Sequence, residues 1–325
     1  MNRESLIRRA CDVAFVALLA GAAATGGHAA LAGLPKFLDA ALPGMAAQAR
    51  PDHGVRGQTR FELAEGFAQS RYAPQVLYPV AANPFPDWLT RPPAAPRRPV
   101  MAVVIDDLGE DLAGSDRAMM LPKEVALSFL PYPETTPFLA EAAARRGHLI
   151  LAHVPMQAMA GGGDAPMTLR PDMSAAEITR RLAWNLARVP GIAGINNHEG
   201  SRFTASAPSL TPVMAALKAR RLFFFDSRTS PASRAERVAA DMGVLSAGRD
   251  IFLDDVPGEA EVAAQLRALV REAKRTGVAI AIGHPRDATL TLLKEFLSED
   301  HGVTLVPLDE AMRLKASRGL VFASR

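Results

Sequence analysis

The 325-residue chain has one cysteine, Cys11, which excludes an intramolecular disulfide framework and any cysteine-based metal cluster. A metal site would therefore have to be built from histidine and carboxylate ligands. Excess charge of one sign is also lacking: 37 Lys+Arg against 34 Asp+Glu leave +3, so no strong polyanion field is implied, and nucleic acid is not expected as a partner. No glycine-rich phosphate loop follows an apolar run, which argues against a nucleotide-binding fold. The apolar run over 13–24 is roughly 12 residues, short of the ~20 that a spanning helix needs. What is present is a globular composition, 49% hydrophobic and 22% charged, enough for one large domain with extensions or for two ordinary domains.

Arg3, Arg8 and Arg9 precede that apolar run, and small residues ending in Gly27-His28-Ala29-Ala30 follow it. This predicts a signal peptide or uncleaved membrane anchor over 1–30, and an exported protein that is periplasmic or anchored in the inner membrane facing the periplasm. Residues 31–98 read as a proline-rich linker, since proline suits neither helix interiors nor central strands. The main domain is expected over 99–317, with a tail over 318–325.

From residue 100 onward the pattern is regular. Apolar runs at 100–105, 125–130, 148–153, 192–196, 222–225, 251–253, 278–282 and 303–306 alternate with helix-like stretches at 134–146, 174–188, 208–220, 231–242, 259–275 and 288–297. Runs apolar on both faces are what buried parallel strands require. Seven or eight such strand–helix units predict an α/β fold, a closed or nearly closed parallel β/α barrel.

The predicted strand ends are unusually polar. Asp106 and Asp107 follow the first, His153 ends the third, and Asn197 and His198 end the fourth. Asp226 and Arg228 follow the fifth, Asp254 and Asp255 the sixth, and His284 the seventh. In a parallel barrel these ends meet at one face. Two successive carboxylates at an apolar strand end are costly without a cation, although one of them also suits a helix N-cap. Asp226 and Arg228 read equally as substrate contacts or as an ion pair fixing a loop. Asp254 and Asp255 read as structural, and His148, at the opposite strand end, as a core histidine. One carboxylate with two imidazoles makes a metal site with open positions, and Zn²⁺ suits such ligands. A second aspartate could take a proton from water, and a histidine across the pocket could protonate a leaving group. That set suits amide or ester hydrolysis.

Six strings in order, over about 99–315, resemble the divergent polysaccharide deacetylase family. They are Ile105-Asp106-Asp107-Leu108-Gly109, Leu127-Ser128-Phe129-Leu130-Pro131-Tyr132, His153-Val154-Pro155-Met156, Asn196-Asn197-His198-Glu199-Gly200-Ser201-Arg202-Phe203-Thr204, Phe225-Asp226-Ser227-Arg228-Thr229 and Gly283-His284-Pro285. The resemblance implies a seven-stranded β/α barrel that removes acetyl groups from an envelope glycan with one divalent metal, usually zinc. It implies Asp106 as catalytic base, Asp107 as metal ligand and His284 as catalytic acid, with His153 and His198 as the imidazole ligands. Asn197, Arg202, Asp226 and Arg228 are the expected substrate-binding or supporting residues. Two features depart from the wider deacetylase pattern. No second histidine follows His153 at His-x3-His spacing, so His198 must come from the next strand end, and no Arg-Pro-Pro-Tyr string is present. The alternatives are a glycan- or protein-binding barrel without turnover, or another metal hydrolase, an amidase or phosphodiesterase, with Arg202 and Arg228 holding an anion.

Overall fold

A computed structural model describes residues 96–160 and 165–323; the signal or anchor segment and nearly all of the linker expected from the sequence lie outside the described residues. Nine strands form one parallel, curled sheet, with a helix between each successive pair except β6 and β7. In chain order they are β1 (Val100–Leu108), α1 (Leu112–Ala118), β2 (Ala126–Phe129), α2 (Thr136–Arg145), β3 (Ile150–Met156) and α3 (Ala175–Ala187). Next come β4 (Ile192–Glu199), α4 (Ala207–Arg220), β5 (Phe223–Asp226), α5 (Ala235–Met242), β6 (Ser246–Gly248) and β7 (Ile251–Phe252). The chain then adds α6 (Glu259–Thr276), β8 (Val278–Gly283), α7 (Asp287–Leu297), β9 (Thr304–Leu305) and α8 (Leu308–Ala323).

The sheet order is β6-β5-β4-β3-β2-β1-β8-β7, so its two edge strands are neighbours in the chain, separated only by Arg249 and Asp250. Arg249 N–H donates to Asp226 O of β5 (3.1 Å), and the next residue, Asp250, donates its N–H to Ile280 O of β8 (2.7 Å). One bent segment thus turns from pairing with β5 to pairing with β8. The sequence reading found only the second half of it, at 251–253. Ser246-Ala247-Gly248 lacks the β-branched and aromatic residues that mark a strand. The run at 303–306 lies off this strand order: β9 pairs with β1 at Val100 and Met101, before β2 begins its own pairing at Val104.

Alternation along each strand separates two cores. Met101, Val103 and Ile105 of β1 belong to the layer between sheet and helices, whereas Val100, Ala102 and Val104 belong to the layer inside the curl. The same alternation places Leu151, Phe223, Phe225, Val278, Ile280 and Ile282 inside, joined by Ala193 at the register shift between β3 and β4. Leu308, Ala311 and Met312 of α8 join that inner cluster, so the last helix packs on the inner residues of the sheet. Lys315 fixes α8 to the bend through Gly248 O (3.0 Å) and both Asp250 carboxylate oxygens (2.7 Å). The helix runs through Ala323, past the boundary at 317 set from the sequence.

Helix α3 starts as its sequence requires: Ser174 Oγ accepts from Glu177 N–H (3.2 Å), while the Glu177 carboxylate turns to Arg180 and Arg181. Gly194 in β4 has a packing reason to be glycine, because a Cβ there would run into the Phe223 ring of β5. Gly194→Ala is expected to destabilise the fold by about 1–3 kcal/mol through overpacking, read as a lower urea midpoint at unchanged slope.

Candidate metal centre and acid–base groups

Polar side chains replace the apolar ones at the next inward position of several strands. Above Val104 comes Asp106, above Leu151 His153, above Ala126 Ser128, and above Ile282 His284. On β4, Asn196 and His198 follow the outward Ile195 at inward positions. This alternation alone would point Asp107 away from the pocket. Instead β1 carries an extra residue: Ile105 pairs with Leu127 but Leu108 pairs with Phe129, so two residues of β1 face the single Ser128 of β2. Asp107 absorbs the bulge in the left-handed region, at φ 58°. Both carboxylates thereby reach the same pocket, and the strained backbone sits at the residue whose aim depends on it.

Asp107 Oδ1 lies 3.1 Å from His153 Nε2 and 2.9 Å from His198 Nδ1. One donor atom from each of the three residues falls within 4.8 Å of the others, and no other such group occurs among the described residues. The two imidazoles meet edge to face, centroids 5.0 Å apart. Asn196 sets the state of His153. Its amide donates Nδ2–H to Asp106 Oδ1 (2.8 Å) and to Ser227 Oγ (3.1 Å), which leaves Oδ1 to accept from Ser128 Oγ (2.6 Å) and from His153 Nδ1–H (2.9 Å). His153 Nε2 therefore faces a carboxylate with a lone pair unless it gains a second proton or shares a cation. Burial opposes the charged ring, but Asp106 and Asp107 outweigh it and push the His153 pKa up to about 9. Burial also opposes ionisation of Asp107, yet hydrogen bonds from His153 and His198 hold its carboxyl far below the usual range. A concentration of negative charge facing two imidazole nitrogens fits a divalent cation, and this O,N,N donor set suits Zn²⁺.

Asp106 is 1% exposed, its Oδ2 3.9 Å from His153 Nε2. Burial pushes its pKa up, opposed by His153 and His284. His284 approaches from β8, with Nε2 3.6 Å from Asp107 Oδ2. Its Nδ1–H donates to Asp254 Oδ1 (2.9 Å), and its backbone N–H to Asp254 Oδ2 (2.9 Å). Thr289 Oγ1 donates to the same Oδ2 (2.7 Å), and Arg286 binds the Asp254 carbonyl. Burial lowers the His284 pKa, but the Asp254 hydrogen bond and the charges of Asp107 and Asp106 raise it overall.

The expected supporting residues divide differently. Asn197, outward by parity, accepts Ser227 N–H at Oδ1 (3.0 Å) and donates Nδ2–H to Glu199 O (2.8 Å), tying two strand ends together. Asp226 is also outward. It holds its loop through Arg228 N–H (2.8 Å) and Ser233 Oγ (2.7 Å) rather than through an ion pair. The Arg228 guanidinium turns to Glu236, and Arg202 is exposed, joined to Gln157 O through its backbone N–H (3.1 Å). His148 binds the carbonyls of Val125 (2.9 Å) and Met119 (3.2 Å), away from the pocket. Sequence reasoning passed over Asn196 and Ser128 and read Asp254 as structural. Strand parity was the available signal for Ser128, two residues after the inward Ala126, and for Asn196, next to the outward Ile195.

The divergent polysaccharide deacetylase family matches residues 103–312, and the chain belongs to that family. It is 36% identical over 197 residues to the uncharacterized protein YibQ of Escherichia coli (strain K12), a match spanning 61% of this chain and 62% of that protein. An uncharacterized protein of Haemophilus influenzae is 37% identical over 194 residues, 60% of this chain and 69% of that one. The crystal structure of uncharacterized protein ATU2773 from Agrobacterium tumefaciens C58 aligns with a TM-score of 0.65 at 28% identity, covering 72% of this chain and 98% of that chain.

Proposed function

We propose that the protein is a divalent-metal-dependent hydrolase that removes acetyl groups from a glycan, with Zn²⁺ bound by Asp107, His153 and His198. Taking the bent segment 246–252 as one strand makes seven strands along the order of the curled sheet, which supports the seven-stranded barrel that the resemblance implies. The observation that supports the chemistry best is the placement of Asp106 and His284 beside the same Asp107–His153–His198 group. A bound ion would polarise the acyl carbonyl and acidify water. Asp106, with its pKa raised toward the working range, takes the proton from the attacking water. Asp254 accepts His284 Nδ1–H and stabilises the imidazolium, whose Nε2–H faces the pocket, and His284 gives that proton to the leaving nitrogen or oxygen as its bond to the acyl carbon breaks. The water oxygen ends in acetate, and the sugar leaves as amine or alcohol.

Phosphodiester cleavage is the weaker reading, because Arg228 is occupied by Glu236 and carboxylates dominate the pocket. The N-terminal basic and apolar pattern supports an envelope glycan as substrate and an exported enzyme; among the described residues, no helix is long and apolar enough to cross a membrane. Acetate release from N-acetylated chito-oligosaccharides and acetylated xylan, before and after chelation and Zn²⁺ re-addition, tests the proposal. Loss and recovery of release is expected. Saccharide binding with no acetate under any metal would favour a binding barrel instead.

A further inference from the structure

The loop after β2 is clamped in an unusual way. Arg188, the buried C-cap residue of α3, donates Nε–H to Pro131 O (3.1 Å) and Nη2–H to Pro133 O (2.9 Å). One guanidinium thus spans the carbonyls on either side of Tyr132, and its own Cζ lies 5.9 Å from the Trp184 ring centroid. Thr136 Oγ1 donates to Leu130 O (2.6 Å), and Leu130 N–H donates to Leu108 O (2.9 Å), which ties the loop to the strand carrying Asp106 and Asp107. Prolines on both sides restrict the backbone further. Between these anchors the Tyr132 side chain remains half-buried. Thr135 Oγ1 of the same loop donates to Gly109 O (2.5 Å), two residues past Asp107, and the Tyr132 phenol lies within electrostatic reach of Glu110, Asp107 and Glu199. Burial and those carboxylates hold its pKa well above the usual phenol value, so the ring stays uncharged.

A rigid aromatic ring at the edge of a polar pocket loses little conformational freedom on contact and offers an apolar face with a polar tip. That combination matches a pyranose ring, which has a C–H face and a hydroxyl edge. The carboxylates Glu110 and Glu199 beside the ring repel an acidic sugar and tolerate a neutral or amino sugar. Resting on the hydrolase reading above, we propose that Tyr132 is the residue against which the sugar carrying the scissile acetyl group stacks, selecting a neutral or amino sugar, and that Arg188 is its positioning residue.

Titration calorimetry of the zinc-loaded full chain with tetra-N-acetylchitotetraose tests this, with acetate release followed in parallel. Tyr132→Ala is expected to weaken binding by ~10-fold or more, and Tyr132→Phe, which keeps the ring, by no more than ~3-fold, with zinc content unchanged in both. Arg188→Gln should weaken binding in the wild-type background and add little on top of Tyr132→Ala, a coupling that general loss of packing would not produce. An oligogalacturonate should bind no better to wild type than to Tyr132→Ala. Wild-type affinity in Tyr132→Ala, or failure of the wild type to bind the tetrasaccharide, would overturn the assignment. Tyr132-dependent binding without acetate release would support the stacking role while contradicting the deacetylase reading.

Discussion

If the proposed metal centre holds, Asp107→Ala and His153→Ala each lose metal binding and at least ~10³-fold in kcat/KM, because the ion would supply several kcal/mol of transition-state stabilisation. Metal content after gel filtration and the rate of acetate release read the two losses together. The effect should be graded around the centre. Asn196→Leu removes the acceptor that fixes the His153 tautomer and the donor to Asp106, so it should cost ~10–100-fold in metal affinity or activity while leaving the three ligands in place. Zinc retained at wild-type stoichiometry and affinity in Asp107→Ala would contradict the ligand assignment.

His284→Ala removes the proposed proton donor and should lower kcat by ~10²–10⁴-fold with metal content unchanged. Asp254→Asn gives the more diagnostic result. The rate should follow a bell-shaped pH profile. Its acid limb reports Asp106, raised by burial above ordinary carboxylates, and its alkaline limb reports His284, raised by Asp254, Asp107 and Asp106 against burial. A raised histidine pKa keeps the imidazolium present to higher pH. Removing the Asp254 charge therefore moves the alkaline limb to lower pH and leaves the acid limb where it was. An unshifted alkaline limb in Asp254→Asn would show that His284 is not the group titrating there.

Much of this site could be read from the sequence because a parallel sheet gathers its strand ends. Asp106, Asp107, His153, His198 and His284 were each recognisable as polar residues closing an apolar run. Which polar residue faces the pocket was harder, because it depends on strand parity and on departures from it. Parity explains why Asn196 reaches His153 while its neighbour Asn197 ties two strand ends together, and why Asp226 braces a loop. Asp107 breaks parity through a one-residue bulge, which is a property of register with β2 and leaves no mark on the local composition. Asp254 looked like a loop acid ahead of Pro257, and only the β7–β8 pairing brings it against His284. Helix α1 escaped notice because its seven residues are too few to show a period, although Asp111 caps it through the N–H groups of Ala113 (3.0 Å) and Gly114 (3.1 Å). Residues 308–317 carry too weak an amphipathic pattern to mark helix α8, whose Leu308, Ala311 and Met312 pack on the inner core.

The most direct measurement is an anomalous-difference map at the zinc edge from crystals of the protein purified without chelator. A single strong peak bounded by Asp107, His153 and His198, within about 2.3 Å of an atom of each, is the expected result. Full occupancy of zinc elsewhere, with those three side chains still joined only to one another, would contradict the account.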